Sequence, residues 1–129
     1  MQRKEIRMKD TQEHYQRFQE EMGFDQFDRT SYKEHKMFLL YIHMLLTTEV
    51  AEIAEEFRHL FKQTETSIRE GKDELEAFEE SKKIINESLG KELADCLAYL
   101  CKLSNYFDYN LEDELYKKLN EIKEERRQT

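Results

Sequence analysis

The chain has 129 residues, 39% of them charged, with a net charge of -8. That length suits one domain, and no basic block is long enough to grip a phosphate backbone, which argues against a nucleic-acid partner. There is no proline and only three glycines, so little interrupts helix. A mean hydropathy of -0.96 fits disorder by charge alone. Yet the apolar residues are periodic and include seven tyrosines and eight phenylalanines. The expectation is therefore a set of amphipathic helices with broad wet faces and a thin core, one that self-associates.

The first predicted helix covers residues 10–22, with Asp10 and Glu13 as a capping pair and Gly23 as its stop. In the turn FDQFDRT, Phe24 and Phe27 are expected to dock on the bundle. Ser31 and Glu34 have the spacing of a capping box, in which the hydroxyl takes a first-turn amide and the glutamate reaches back. The second helix is predicted over 32–61. Leu39, Ile42, Leu46, Val50, Ile53, Phe57 and Leu60 form its apolar stripe. Such a helix of about 30 residues is roughly 45 Å long.

The polar stretch KQTETSIREGKDE follows, with Gly71 as a break. A third helix is predicted over 73–107, carrying Leu75, Phe78, Ile85, Leu89, Leu93, Cys96, Leu100, Leu103 and Phe107 at near-helical spacing. Gly90 lies inside it and allows two shorter helices instead. Asn110 caps a last helix over 111–126, whose acidic start and basic end suit the helix dipole. The resulting expectation is an all-α fold, an antiparallel four-helix-bundle-like domain over 1–129, with its core completed by oligomerisation.

Cys96 and Cys101 are five apart, point in different directions on a helix and read as reduced core thiols, in keeping with a cytoplasmic location. The start MQRKEIRMKD lacks the apolar core of a signal peptide. The longest apolar run, MFLLYIHMLL, is too short to span a membrane.

The chemistry lies in two acidic pairs. Glu49 and Glu52 are three apart in TTEVAEIAEEF, hence neighbours on one helix face, and Glu56 continues that face. Glu92 and Asp95 are three apart in GKELADCLAYL, with Tyr99 farther along the same stripe. Each pair borders an apolar stripe, so both sit at the edge of the buried side. Antiparallel packing of helices two and three sets them face to face. Four carboxylates at one spot repel and lose solvation unless a cation neutralises them. Mg²⁺, or Mn²⁺ in its place, takes oxygen ligands and also accepts substrate phosphates. An acidic site thereby meets an anionic substrate through metal. Against this stands the plainer reading that acidic pairs in so acidic a chain are solvated surface.

TEVAEIAEEF together with KELADCLAYLCKLSNYFDYNLEDELYKKL closely resembles the all-α nucleoside triphosphate pyrophosphohydrolases of MazG type. Their hallmark is E-x-x-E on one helix and E-x-x-D on a later one, matched by Glu49, Glu52, Glu92 and Asp95 over residues 38–60 and 89–127. The resemblance implies Mg²⁺-dependent cleavage between the α and β phosphates by water. The products are a nucleoside monophosphate and pyrophosphate, a reaction suited to nucleotide-pool housekeeping. It implies a homodimer or homotetramer. It also implies that Lys118 contacts phosphate and that Tyr99 lies near the nucleotide. Three departures stand out. The gap from Glu52 to Glu92 is long. Thr48 stands where many members carry an acid. Ile122 stands where members often carry asparagine, with Asn120 out of phase.

Glu56 and His59 make half of a di-iron pattern, but no second E-x-x-H follows. His59 reads as a surface or rim residue, His43 as a core histidine, and His14 and His35 as exposed. Phe38 and Tyr41 are mostly core, with a base-stacking role open to them. The terminal KEERRQT reads as a solvated helix end. Two other readings remain: a helical interaction module with purely surface acids, and a dedicated dUTP or phosphoribosyl-ATP pyrophosphohydrolase.

Overall fold

The structure, a computed structural model, describes residues 6–128. It is helical, with no strand among the described residues. Helix α1 spans Met8–Met22, α2 Tyr32–Arg69, α3 Glu74–Tyr106 and α4 Leu111–Arg127.

Each boundary has a local cause. Asp10 serves α1 from its first turn rather than from the cap: its Oδ2 accepts the backbone N–H of Arg7 at 3.0 Å. The expected Asp10/Glu13 pair is thus displaced by one turn. Helix α1 stops at Gly23, which adopts φ 69°. Its N–H donates to Glu20, and that of Phe24 donates to Gln19, as in a Schellman close. Ser31 Oγ accepts the Glu34 N–H at 3.3 Å and opens α2.

Helix α2 runs eight residues past the expected end at Phe61. Gln63 to Ile68 hold no glycine or proline, so nothing stops the helix until Gly71, at φ 98°. Asp73 Oδ2 takes the Glu76 N–H at 3.2 Å and opens α3. The long 63–87 segment therefore extends two helices. Gly90 leaves α3 unbroken. Asn110 caps α4 by accepting the Asp113 N–H at 3.2 Å, as its position predicts.

The chain divides into two compact units, Met1–Leu39 with Leu100–Thr129, and Leu40–Tyr99. In the first, the side chain of buried Gln12 donates to Asn105 Oδ1 at 3.2 Å and to the Tyr109 carbonyl at 2.9 Å. It also accepts the Leu111 N–H at 2.9 Å. Phe27 stacks on Phe38, which lies against Tyr106. His35 is not the exposed residue its sequence position suggests. It is half-buried, with Nδ1 2.6 Å from the Tyr106 hydroxyl and Nε2 donating to the Arg29 carbonyl at 2.8 Å. Phe27 docks as expected, whereas Phe24 stays half in solvent.

The second unit is a helical hairpin. Ser88 on α3 meets Glu56 on α2, and Glu92 meets Glu52, so the two helices run antiparallel there. Its buried residues are Ile42, Leu60 and Thr64 on α2 and Ala77, Ser81, Ile85 and Cys96 on α3. Several are small, which lets the backbones approach but buries little apolar area. Burying Ile42 fully contributes about 1.5–3 kcal/mol. Val50, Phe57, Phe61, Ile84 and Leu93 stay exposed. His43 is exposed as well and is no core histidine. It follows Ile42, the residue facing the core, and points off to the side. Cys96 and Cys101 are buried and free, as read from their spacing.

By length and composition, α2 is apolar enough to cross a membrane. An 18-residue stretch has mean hydropathy 1.4 and is 6% buried. The ten-residue run MFLLYIHMLL reaches that length only when extended through Glu49 and Glu52.

Candidate metal centre

Three-residue spacing puts Glu49 and Glu52 on one side of α2, and Glu92 and Asp95 on one side of α3. The hairpin register then opposes them. Positions 49, 52 and 56 ascend α2 as 95, 92 and 88 descend α3.

Glu49, Glu92 and Asp95 each bring a carboxylate oxygen within 4.8 Å of the others. Glu49 and Glu92 are half-buried, while Asp95 is exposed. Glu52 stands outside this trio, with its carboxyl against that of Glu92. Hydrogen-bonding contact with Glu92 and repulsion from its charge hold Glu52 above the usual carboxylate range. Glu92 is raised too, first by its contact with Glu49 and then by desolvation. A hydrogen bond between two carboxyls requires a proton on one of them, because two carboxylates have no hydrogen between them.

Glu92 Oε2 is shut off from solvent and has no hydrogen-bond donor. Contact with Glu49 relieves that only in a protonated form. A cation at the trio relieves it without a proton, so the residues present fit a metal. All the donors are carboxylate oxygens, the chemistry of a hard divalent cation such as Mg²⁺ or Mn²⁺. Cys96 lies buried beneath them. Burial, then the charges of Glu49, Glu92 and Asp95, push its thiol up. It stays neutral and offers no soft ligand.

No family model, curated protein or solved structure matches this chain. The case for its chemistry rests on its own residues and motifs.

Two further residues were expected near the nucleotide. Tyr99 is half-buried on α3 in the same unit. Lys118 is exposed on α4 in the other unit, with its Nζ 3.4 Å from Glu121. No histidine joins the trio, which disfavours the di-iron reading.

Two features were not read from the sequence. Ser88 Oγ donates to Glu56 Oε2 at 2.8 Å, one turn beyond the acids. The signal was present, because Ser88 precedes Glu92 by the four residues that separate Glu52 from Glu56. The second is a hollow of about 470 Å³ in the first unit, lined in part by Asp25, Lys102, His35 and Tyr106. Its charges are matched: Lys102 Nζ meets Asp25 Oδ2 at 2.7 Å. The acidic trio has no such partner among the described residues, and an unmatched charge is the stronger sign of a ligand.

Proposed function

We propose that the chain is a divalent-metal-dependent nucleoside triphosphate pyrophosphohydrolase, releasing a nucleoside monophosphate and pyrophosphate. The observation that carries this reading is the convergence of Glu49, Glu92 and Asp95 around one point from two antiparallel helices. Glu52 adds a fourth carboxylate at its edge. The match of these acids to the E-x-x-E and E-x-x-D motifs supplies the reaction.

Glu49, Glu92 and Asp95 hold the cation by carboxylate oxygens. When bound, Mg²⁺ or Mn²⁺ offsets phosphate charge and lowers the pKa of water. The rigid helices hold the acids ready, so little order is lost when substrate arrives. Glu52 faces the trio from the more exposed side, where it orients groups approaching from solvent. Buried Cys96 and half-buried Ile53 on the core side keep water from reaching the carboxylates from behind.

The exposed apolar residues of the hairpin support self-association, as a homodimer or homotetramer. They equally favour an interaction module whose acids are only surface. One assay separates these readings: pyrophosphate release across a panel of ribo- and deoxyribonucleoside triphosphates, dUTP and phosphoribosyl-ATP included, with and without Mg²⁺. The proposal expects metal-dependent release that is lost in Glu52→Gln and Asp95→Asn. Release that persists in both variants removes these acids from the mechanism. If no substrate turns over and no metal stabilises the protein, the interaction module stands.

A further inference from the structure

The register that opposes Glu52 to Glu92 continues for one more rung. Glu56 lies four residues beyond Glu52, and Ser88 four before Glu92. Four residues rise about 6 Å along a helix. At this rung lies a hollow of about 280 Å³, lined by Glu55, Glu56, His59, Ile85 and Ser88.

The polar groups of this hollow are unequally used. Ser88 Oγ spends its proton on Glu56 Oε2 at 2.8 Å. Glu55 is held by Arg58 at 2.5 Å, both well exposed. Glu56 Oε1 and the His59 ring have no hydrogen-bond partner among the described residues. Beneath them lies Ile85, an apolar floor that is 3% exposed. The hollow thus offers a fixed anionic acceptor and an imidazole beside it, over a hydrocarbon surface.

That set does not suit phosphate, which two glutamates repel. It suits a group that donates hydrogen bonds, is uncharged and has an apolar face. A sugar with adjacent hydroxyls has all three properties. We propose that this hollow is the ribose subsite of the metal centre. One hydroxyl of the 2′,3′-diol donates to Glu56 Oε1, the other pairs with the His59 ring, and the C–H face of the sugar rests on Ile85. The Ser88 hydroxyl fixes the Glu56 carboxylate in the required rotamer. The roughly one-turn offset from the acids resembles the separation of a nucleotide's ribose from its α-phosphate. This assignment rests on the nucleotide reading of the metal centre. It adds a specificity: the hollow favours ribonucleotides, because a 2′-deoxy sugar makes one hydrogen bond fewer there.

Equilibrium binding tests this without turnover. The full chain with Mg²⁺ is titrated calorimetrically with the four common ribonucleoside 5′-monophosphates and their 2′-deoxy counterparts. The wild type is expected to bind at least one ribonucleotide about tenfold more tightly than its deoxy form. Of Glu56→Gln and His59→Ala, the one that removes the partner of the 2′-hydroxyl is expected to bring the ribonucleotide down to the deoxy affinity and to leave the deoxy affinity in place, and the one that removes the partner of the 3′-hydroxyl to weaken both sugars alike. Ser88→Ala should have a partial effect and Ser88→Thr should restore it. Equal affinity for the two sugars, discrimination kept in both the Glu56 and the His59 variant, or no nucleotide binding at all would each overturn the subsite. Discrimination without any pyrophosphate release from triphosphates keeps the subsite and removes the hydrolase. Release without discrimination does the reverse.

Discussion

The carboxyl of Glu52 meets that of Glu92 across two antiparallel helices, and both are held above the usual carboxylate range. Two like charges facing each other cost free energy in the metal-free protein. Clustered carboxyls with raised pKa values are one mark by which functional sites are recognised.

The first consequence is a pH dependence of unusual sign. Salt-bridged acids ordinarily have depressed pKa values, and stability is lost as pH falls. Glu52 and Glu92 are raised, so between the ordinary value of 4.5 and their own values the folded state binds more protons than the unfolded state. Their contribution to stability is present at low pH and is lost as pH rises through that window. Thermal melts in EDTA should show this downward trend above about pH 4.5, and Glu52→Gln with Glu92→Gln should remove it. Saturating Mg²⁺ should remove it too, by neutralising the carboxylates. A wild-type curve in EDTA that matches the double variant would rule out the extra proton.

A second test separates a site from a surface. Glu92→Gln deletes one of the opposed charges, and its amide donates to Glu49, so the metal-free protein should melt higher than wild type. The same change removes a carboxylate ligand and should weaken Mn²⁺ binding at least about tenfold, as lost coordination contacts do. With metal at about a hundred times Kd, the wild type gains about 2.7 kcal/mol, and the variant should gain far less. A metal-free Glu92→Gln protein that melts below wild type would mean that Glu92 is structural.

Most of the fold could be read from chain order alone. Asn110, Ser31 and Gly23 act where their chemistry predicts, because capping depends on residues within one turn. The end of α2 could not be read this way. Residues 63–67 are polar, but polarity does not break a helix; the next residue with a backbone reason to stop is Gly71. His35 and His43 were misread for a related cause. The burial of His35 depends on Tyr106, 71 positions away, and nothing near His35 announces it. His43 sits in an apolar run, but one helix has two sides, and only packing selects Ile42 as the inner one.

The acids of the site were legible because i,i+3 spacing is local and the antiparallel register follows from a short turn. The unequal roles of the acids were not. Glu49, Glu92 and Asp95 form the trio, and Glu52 borders it, through rotamers that spacing does not set.

Gln12 ties three segments of the first unit together. It is 4% exposed, and its amide serves Asn105, the Tyr109 carbonyl and the Leu111 N–H that opens α4. Gln12→Ala leaves these groups without partners and is expected to cost about 2–3 kcal/mol in urea unfolding. Gln16→Ala, one turn away and exposed, is the matched control and should lie within about 0.5 kcal/mol of wild type. Equal effects from the two would show that the network carries no net stability.

The hairpin's outer face yields the last prediction. Phe61 is 54% exposed and Ile84 60% exposed, and neither residue lies among the acids. A second copy of the chain that covers them removes apolar area from water at about 25 cal/mol per Å², the strongest drive such a thin-cored hairpin has toward association. Phe61→Lys and Ile84→Lys put charges where that contact forms, and a desolvated unpaired charge is costly. Sedimentation equilibrium should show the wild type as a dimer or tetramer and the double variant as a monomer. Because Phe61 and Ile84 lie outside the trio, Mn²⁺ binding measured on the same monomer also decides whether one chain completes the metal centre. Retained affinity means that Glu49, Glu92 and Asp95 suffice; lost affinity means that a second copy supplies part of the site. A wild type that sediments as a monomer at every concentration would end the association reading.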